Sequence, residues 1–302
     1  MATTPSPISS RALPYKIPKR RHWALAFVIA QPLGAAGLLV ILVMGFAGIF
    51  AELVAPHDPL DIDFGAMLAA PSVEHLMGTD AFGRDILSRV IYGSRTALTI
   101  GFLSSFMGCT VGAAIGIASA FFGGRTDMIV QAFIDILLSF PIIVLALVVV
   151  AMIGRAPLFG IDFNLVLAIA IPIMPKVERV IRAAALSIRE MAYIDAARAA
   201  GFSSARIIFR HMAPNVAAPY LIMLTAYIAQ AILLEAVLSF LGLGVAEPVP
   251  AWGLMLSGSA SDFFEEAPWI VIFPGLAISL AVFAFNLLGD ALRDWLDPKF
   301  KT

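Results

Sequence analysis

The chain has 302 residues, of which 60% are hydrophobic and only 14% charged, with a net charge of −1 and a mean hydropathy of +0.93. Soluble domains average about half apolar and a quarter charged residues, so most of this chain must be solvated by lipid rather than water. Near-neutral charge broken into long uncharged blocks gives no footing for nucleic acid, and the lone Cys109 can form neither an internal disulfide nor, by itself, a thiolate metal site.

In chain order, residues 1–32 carry Pro, Ser and the basic residues Arg11, Lys16, Lys19, Arg20 and Arg21, and read as a cytoplasmic tail. The pair Arg20-Arg21 could mark a twin-arginine export signal, but the apolar run after Pro32 is too long for a signal-peptide core and reads as a retained anchor. A bilayer crossing needs about 20 mostly apolar residues. Such runs lie at roughly 33–54, 97–121, 128–153, 163–183, 216–243 and 268–289. The expectation is an all-α membrane protein of about six transmembrane helices over 33–290, with a cytoplasmic tail at 291–302.

Within the second run, Gly108, Gly112 and Gly116 place a small residue at every fourth position of one helix face, which lets another helix approach closely, in the same subunit or in a partner. Pro141, Pro172, Pro175 and Pro274 fall inside spans, where each removes a backbone donor, and they predict kinked helices around a cavity. Asp135 and Glu235 are carboxylates inside the third and fifth runs; because an ionised group in lipid costs at least a few kcal/mol, both should point inward. Both could line a solute path, and for Glu235 the alternative is a hydrogen bond across helices.

A polar loop at about 184–215 separates the fourth and fifth runs. Its Ala-rich stretch favours helix up to Ala200, Gly201 suits a left-handed stop, Ser203 or Ser204 can cap a second short helix, and Pro214 with Asn215 should end it. Ile188, Met191, Ile194 and Ala197 recur at near-helical spacing, giving an apolar face able to bury in a partner while Arg198, Arg206 and Arg210 stay wet. Beyond the fifth run, the acidic stretch from Glu247 to Glu266 contains Trp252 and Phe263-Phe264, which could meet a partner or form a solvated loop.

With the N-terminus inside, sixteen of the 20 basic residues fall on the cytoplasmic side, against Arg84, Arg89, Arg95 and Arg155 outside. This is the positive-inside bias, and it requires the short fourth run to cross. Trp23, Trp269 and Trp295 then fall near the interfaces.

The loop resembles the permease subunits of ATP-binding-cassette importers, whose cytoplasmic signature runs Glu-Ala-Ala, three residues, Gly, nine residues, Ile, one residue, Leu-Pro. Here Asp195-Ala196-Ala197 precedes Gly201 by that spacing and Pro214 stands at the final proline, while Asp195, His211 and Ala213 replace Glu, Ile and Leu. Three more stretches resemble the C-type permease of dipeptide and oligopeptide importers: 78–89 (Gly78-Thr79-Asp80 through Asp85 to Arg89), 238–244 (Leu238 to Gly244) and 285–298 (Phe285-Asn286 to Asp297-Pro298). The resemblance implies a type I importer permease fold with a cytoplasmic coupling-helix loop in a bacterial inner membrane, both termini cytoplasmic. It implies as partners a homologous second permease, two cytoplasmic ATPases and an extracytoplasmic solute-binding protein, with Asp195, Ala196, Ala197, Gly201 and Pro214 coupling to the ATPases.

No Gly-x-x-x-x-Gly-Lys-Ser/Thr loop occurs, so this chain does not cradle nucleotide phosphates in the usual way. None of the four histidines lies in a predicted span, no His-Glu-x-x-His occurs, and Gly289-Asp290 lacks the preceding glycine of intramembrane aspartyl proteases. The reading is therefore a permease without catalytic residues, cofactor or metal, forming a path for short peptides. The alternatives are a nickel or glutathione permease of the same family, or an ion-coupled secondary transporter, for which paired broken helices in internal repeats would be the sign.

Overall fold

The computed structural model describes residues 23–154, 157–158 and 161–296. The tail cations from Arg11 to Arg21, together with Arg155, Asp297-Pro298, Lys299 and Lys301, lie outside the described residues. The helices are α1 (Trp23–Ala30), α2 (Pro32–Ile49), α3 (Ala51–Val54), α4 (Ile86–Phe122), α5 (Gly124–Leu138), α6 (Ile142–Ile153) and α7 (Phe163–Arg189). There follow α8 (Ala192–Ala199), α9 (Ser204–Ile207), α10 (Ala217–Phe240), α11 (Trp252–Met255), α12 (Ser259–Asp262) and α13 (Trp269–Leu296). A two-residue antiparallel pair, Pro157–Leu158 with Ile161–Asp162, joins α6 to α7.

All six predicted spans are helical. Among the described residues, four helices are long and apolar enough to cross a membrane: α2, α4, α13 and the continuous stretch Ser204–Phe240. The third predicted span is not one kinked helix but the pair α5 and α6, bent by 94°. Pro141 is the cause, since it holds extended backbone at the start of α6 (ψ 136°) and offers no donor to carry the α5 ladder onward. The fourth, α7, is an unbroken helix of 27 residues, but Lys176, Glu178, Arg179, Arg182 and Arg189 make it less apolar than a lipid-exposed span, in keeping with its packing against α4. Pro172, Pro175 and Pro274 lie buried inside helices that run on, so of the four span prolines only Pro141 ends one.

α4 is the spine. Its start is capped by Asp85, which accepts from Ser88 N at 2.8 Å, and its end is closed by Gly123, whose φ of +62° L side chains rarely adopt. The glycine stripe packs within the subunit, the first of the two readings it allowed. A Cβ at Gly108, Gly112 or Gly116 would lie 2.7, 2.5 or 2.7 Å from the carbonyl oxygens of Ala170, Met174 and Glu178. Because the partner positions rise in the same direction as the glycines, α4 and α7 run parallel, backbone against backbone. α10 returns antiparallel, with Ile232 against Gly101, and α13 meets α2 where Ala291 and Ala284 face Gly34 and Gly37.

Two buried clusters follow. One runs from Cys109, Ile173 and Ile181 along α4 and α7 to Ile194 and Ile207; the other joins Ile86, Ile232, Trp252 and Phe285. Large side chains such as Leu39, Val43 and Phe46 on α2, and Leu276, Leu280 and Phe283 on α13, stay exposed on this single chain, as lipid-facing or subunit-facing helices require.

Candidate functional site

The turn between α7 and α10 forms one end of the bundle. α8 ends in a Schellman motif: Gly201, at φ +76°, donates its N–H to Arg198 O (3.0 Å), and Phe202 N–H donates to Ala197 O (3.1 Å). Ser203 then accepts from Arg206 N at 3.4 Å and opens α9, so the expected helix, left-handed glycine and capped second helix are all present.

Pro214 departs from expectation. It does not end the second helix; the chain passes through a π turn (Ile208–Met212) and a 3₁₀ turn (Ala213–Val216) straight into α10. A wider turn absorbs the donor that proline lacks, and Asn215 Nδ2 donates to the His211 carbonyl at 2.6 Å.

The apolar stripe also faces otherwise than expected. Ile188, Ile194 and Ala197 are buried in this chain's own core, and of the four only Met191 is exposed. What α8 leaves outside is the opposite ridge: Tyr193, Asp195 with 71% of its side chain exposed, Ala196, Gly201 and Phe202. Pro214 is exposed on the adjoining turn, whereas Ala197 points inward. Arg198 holds the ridge in place, 3.5 Å from Asp195 and with its guanidinium 5.5 Å from the Phe121 ring centroid at the end of α4. His211 lies between Tyr193 and Phe202, at ring-centroid distances of 6.4 and 6.0 Å.

Beneath the ridge a polar clamp ties α7 to α4 and α5. Arg182 grips Asp127 through Nε at 2.6 Å and Nη2 at 2.5 Å, Ser119 Oγ donates to the same carboxylate at 2.6 Å, and Arg189 Nη1 donates to Ala120 O at 2.9 Å. Gln131 donates to buried Glu178 at 2.8 Å. The paired, fork-shaped Arg182 contact fixes orientation as well as distance.

At the opposite end the 78–89 stretch is architectural. Asp80 accepts from Phe82 N (2.8 Å), Arg84 N (3.0 Å) and Arg84 Nε (2.7 Å), and Arg84 reaches Glu247 at 3.1 Å. Arg89, 1% exposed, donates to Pro59 O. Trp252 is buried and donates to Val90 O at 2.9 Å, so it belongs to the core and not to an exposed partner surface; Phe264, Glu265 and Glu266 remain outside.

The two span carboxylates part company. Glu235 is fully buried, as an inward residue should be, but its partner is Ser239 on its own helix at 2.7 Å, not a neighbouring helix. Ser239 Oγ in turn accepts from Val245 N at 3.1 Å, so Glu235 steadies the 238–244 turn. Asp135 does not point inward: 60% of its side chain is exposed, and it pairs with Arg179 of α7.

Comparison with known proteins agrees with this architecture. The inward-facing MetNI methionine ABC transporter superposes with a TM-score of 0.54 at 16% identity, over 70% of this chain and 98% of that one, which establishes a shared fold. The chain is 41% identical to the dipeptide transport system permease protein DppC of Alkalihalophilus pseudofirmus, over 93% of this chain and 91% of the relative. It is 40% identical to the di/tripeptide permease DppC of Pseudomonas aeruginosa over 98% and 97%. It is 38% identical to the glutathione permease GsiD of Pectobacterium atrosepticum over 95% and 93%. Residues 112–302, which hold the α7–α10 turn and the 238–244 and 285–298 stretches, match one family, and the chain therefore belongs to the binding-protein-dependent transport system inner membrane components.

Proposed function

We propose that this chain is one permease subunit of an ATP-driven importer and forms, with a homologous second permease, the path by which di- and oligopeptides enter the cell. The observation that carries the substrate class is the near-full-length identity of about 40% to permeases named for dipeptides and for di- and tripeptides. Glutathione is the second reading, favoured by the GsiD relative, and it is chemically close because glutathione is itself a tripeptide.

In this reading the ridge of α8 docks on a cytoplasmic ATPase subunit. Asp195, Ala196 and Gly201 make the contact, Ala197 anchors the ridge from within, and Pro214 shapes the turn into α10. ATP hydrolysis takes place on two such separate subunits, and an extracytoplasmic binding protein delivers the peptide to the end that carries 78–89 and Glu265. Residues 33–290 form the membrane domain, and both termini lie in the cytoplasm. Asp135, being exposed on this chain's surface, is able to face a path shared with the second permease; Glu235, enclosed by its own chain, is not.

The test is uptake of labelled dipeptides, tripeptides and glutathione by cells lacking the gene and by cells in which it is restored. Restoration of dipeptide uptake supports the proposal. Restored glutathione uptake alone moves the assignment to the second reading, and uptake driven by an ion gradient in ATP-depleted vesicles overturns the importer.

A further inference from the structure

We propose that His57, His75 and Asp85 form a binding site for a zinc-class divalent metal ion, one that fastens the 55–79 segment to the start of α4. No short metal motif announces this site, since His57 and His75 stand 18 positions apart and neither belongs to a His-Glu-x-x-His pattern. Folding brings one ligand atom from each of the three residues within 4.8 Å of the others. His75 Nδ1 lies 3.0 Å and His57 Nδ1 3.7 Å from the same oxygen, Asp85 Oδ1. Ligand atoms bonded to zinc at 2.0–2.1 Å in a tetrahedron stand about 3.3 Å apart, so both separations bracket the required value.

The three groups are held there by their own backbones. Asp85 divides its oxygens: Oδ2 accepts from Ser88 N (2.8 Å) and Ser88 Oγ (2.7 Å), which leaves Oδ1 turned to the two imidazoles. Ser88 Oγ also accepts from His57 N at 3.1 Å, so one hydroxyl orients two of the three ligands, as outer hydrogen bonds do in metal sites. His75 is fixed by a turn in which its carbonyl accepts from Ser72 N and Gly78 N while its own N–H donates to Ser72 Oγ.

A plain hydrogen bond from His75 would satisfy Asp85 but not His57, whose buried Nδ1 has no hydrogen-bond partner among the described residues. A cation bound by two neutral imidazoles and one carboxylate satisfies all three groups at once. That donor set suits zinc and its neighbours rather than magnesium or calcium, which take oxygen ligands. The His57 side chain, 37% exposed, gives an entry route.

The experiment uses the assembled transporter, purified through a tag without histidine, stripped with chelator and re-equilibrated with Zn²⁺, Mg²⁺ or Ca²⁺ in parallel. Elemental analysis should find about one more zinc per permease chain in wild type than in the His57→Ala/His75→Ala variant, with no matching gain for the other two ions. Asp85→Asn keeps the helix-cap acceptor but removes the charge, and should weaken zinc binding more than about tenfold. Co²⁺ loaded into wild type should give a visible tetrahedral d–d band. Zinc retention equal in wild type and the double variant, or a wild-type sample without the cobalt band, overturns the site.

Discussion

Gly112→Ala is the sharpest probe of how the spine is built. The added Cβ would lie 2.5 Å from Met174 O, 3.1 Å from Glu178 N and 3.2 Å from Val177 Cβ. A carbon needs about 3.3 Å or more from a carbonyl oxygen, and the obstacle is helix backbone rather than a side chain able to rotate away. α4 and α7 must therefore separate by close to 1 Å at this level. Overpacking of that kind costs about 1–3 kcal/mol, against which alanine regains up to about 1 kcal/mol of helix propensity over glycine. A backbone obstacle places the cost in the upper part of that range, about 2–3 kcal/mol, so the expected net loss is about 1–2 kcal/mol, roughly a 5- to 30-fold shift in the folded-to-unfolded ratio. Gly45→Ala in α2 and Gly275→Ala in α13 are the controls, since a Cβ at either meets nothing within 4 Å. Thermal unfolding of the detergent-solubilised complex, followed beside peptide uptake, should show Gly112→Ala destabilised and both controls at or above wild type. If Gly112→Ala behaves like Gly45→Ala, the backbone contact between α4 and α7 is not as described.

Three further outcomes are expected. In a Cys109→Ala background, Ser204→Cys should react with an impermeant thiol reagent only from the cytoplasm and Glu265→Cys only from outside; outside labelling of Ser204→Cys would reverse the orientation. Gly201→Ala should cost about 1–2 kcal/mol through its left-handed backbone, since open space surrounds the new methyl, whereas Asp195→Lys, which loses only an exposed pair with Arg198, should cost under about 1 kcal/mol and loosen ATPase association. Equal ATPase retention in wild type and Asp195→Lys, read by co-purification, would remove that ridge from the docking surface. Asp127→Ala and Arg182→Ala should each destabilise by about 1.5–3 kcal/mol through a lost charged hydrogen bond, and the double variant should fall well short of their sum; strict additivity would show that the pair is not coupled.

Features governed by local chemistry were legible in the sequence. Gly201 as a left-handed stop and Ser203 as a cap depend on residues within four positions, and the six apolar runs depend on length alone. Facing was not legible. The stripe through Ile194 and Ala197 would look the same whether it met a partner or, as it does, the chain's own α4 and α7. Pro214 read as a helix end because the π turn that rescues it is sustained by packing onto α4 and α7, not by a sequence signal. Asp135 was expected inside because the cost of a charge in lipid was weighed without Arg179, which lies 44 residues further on. Of the residues proposed for docking, Asp195, Ala196 and Gly201 share an exposed ridge, while Ala197 is buried beneath it.

α4 has 37 residues, so at 1.5 Å each it is about 55 Å long, nearly twice a 30 Å hydrocarbon layer. One end is fastened by Asp85 and Trp252, the other by Gly123 and the Arg189 contact, and α7 lies against its middle with no side-chain cushion between. Such a pair is a stiff beam rather than two sliding rods. A beam of that length tilted by about 10° about one end carries the other through roughly 10 Å. A small angular change imposed at the Gly123 end of α4 would therefore emerge at the Asp85 end as a displacement as wide as a peptide backbone, with no helix needing to bend.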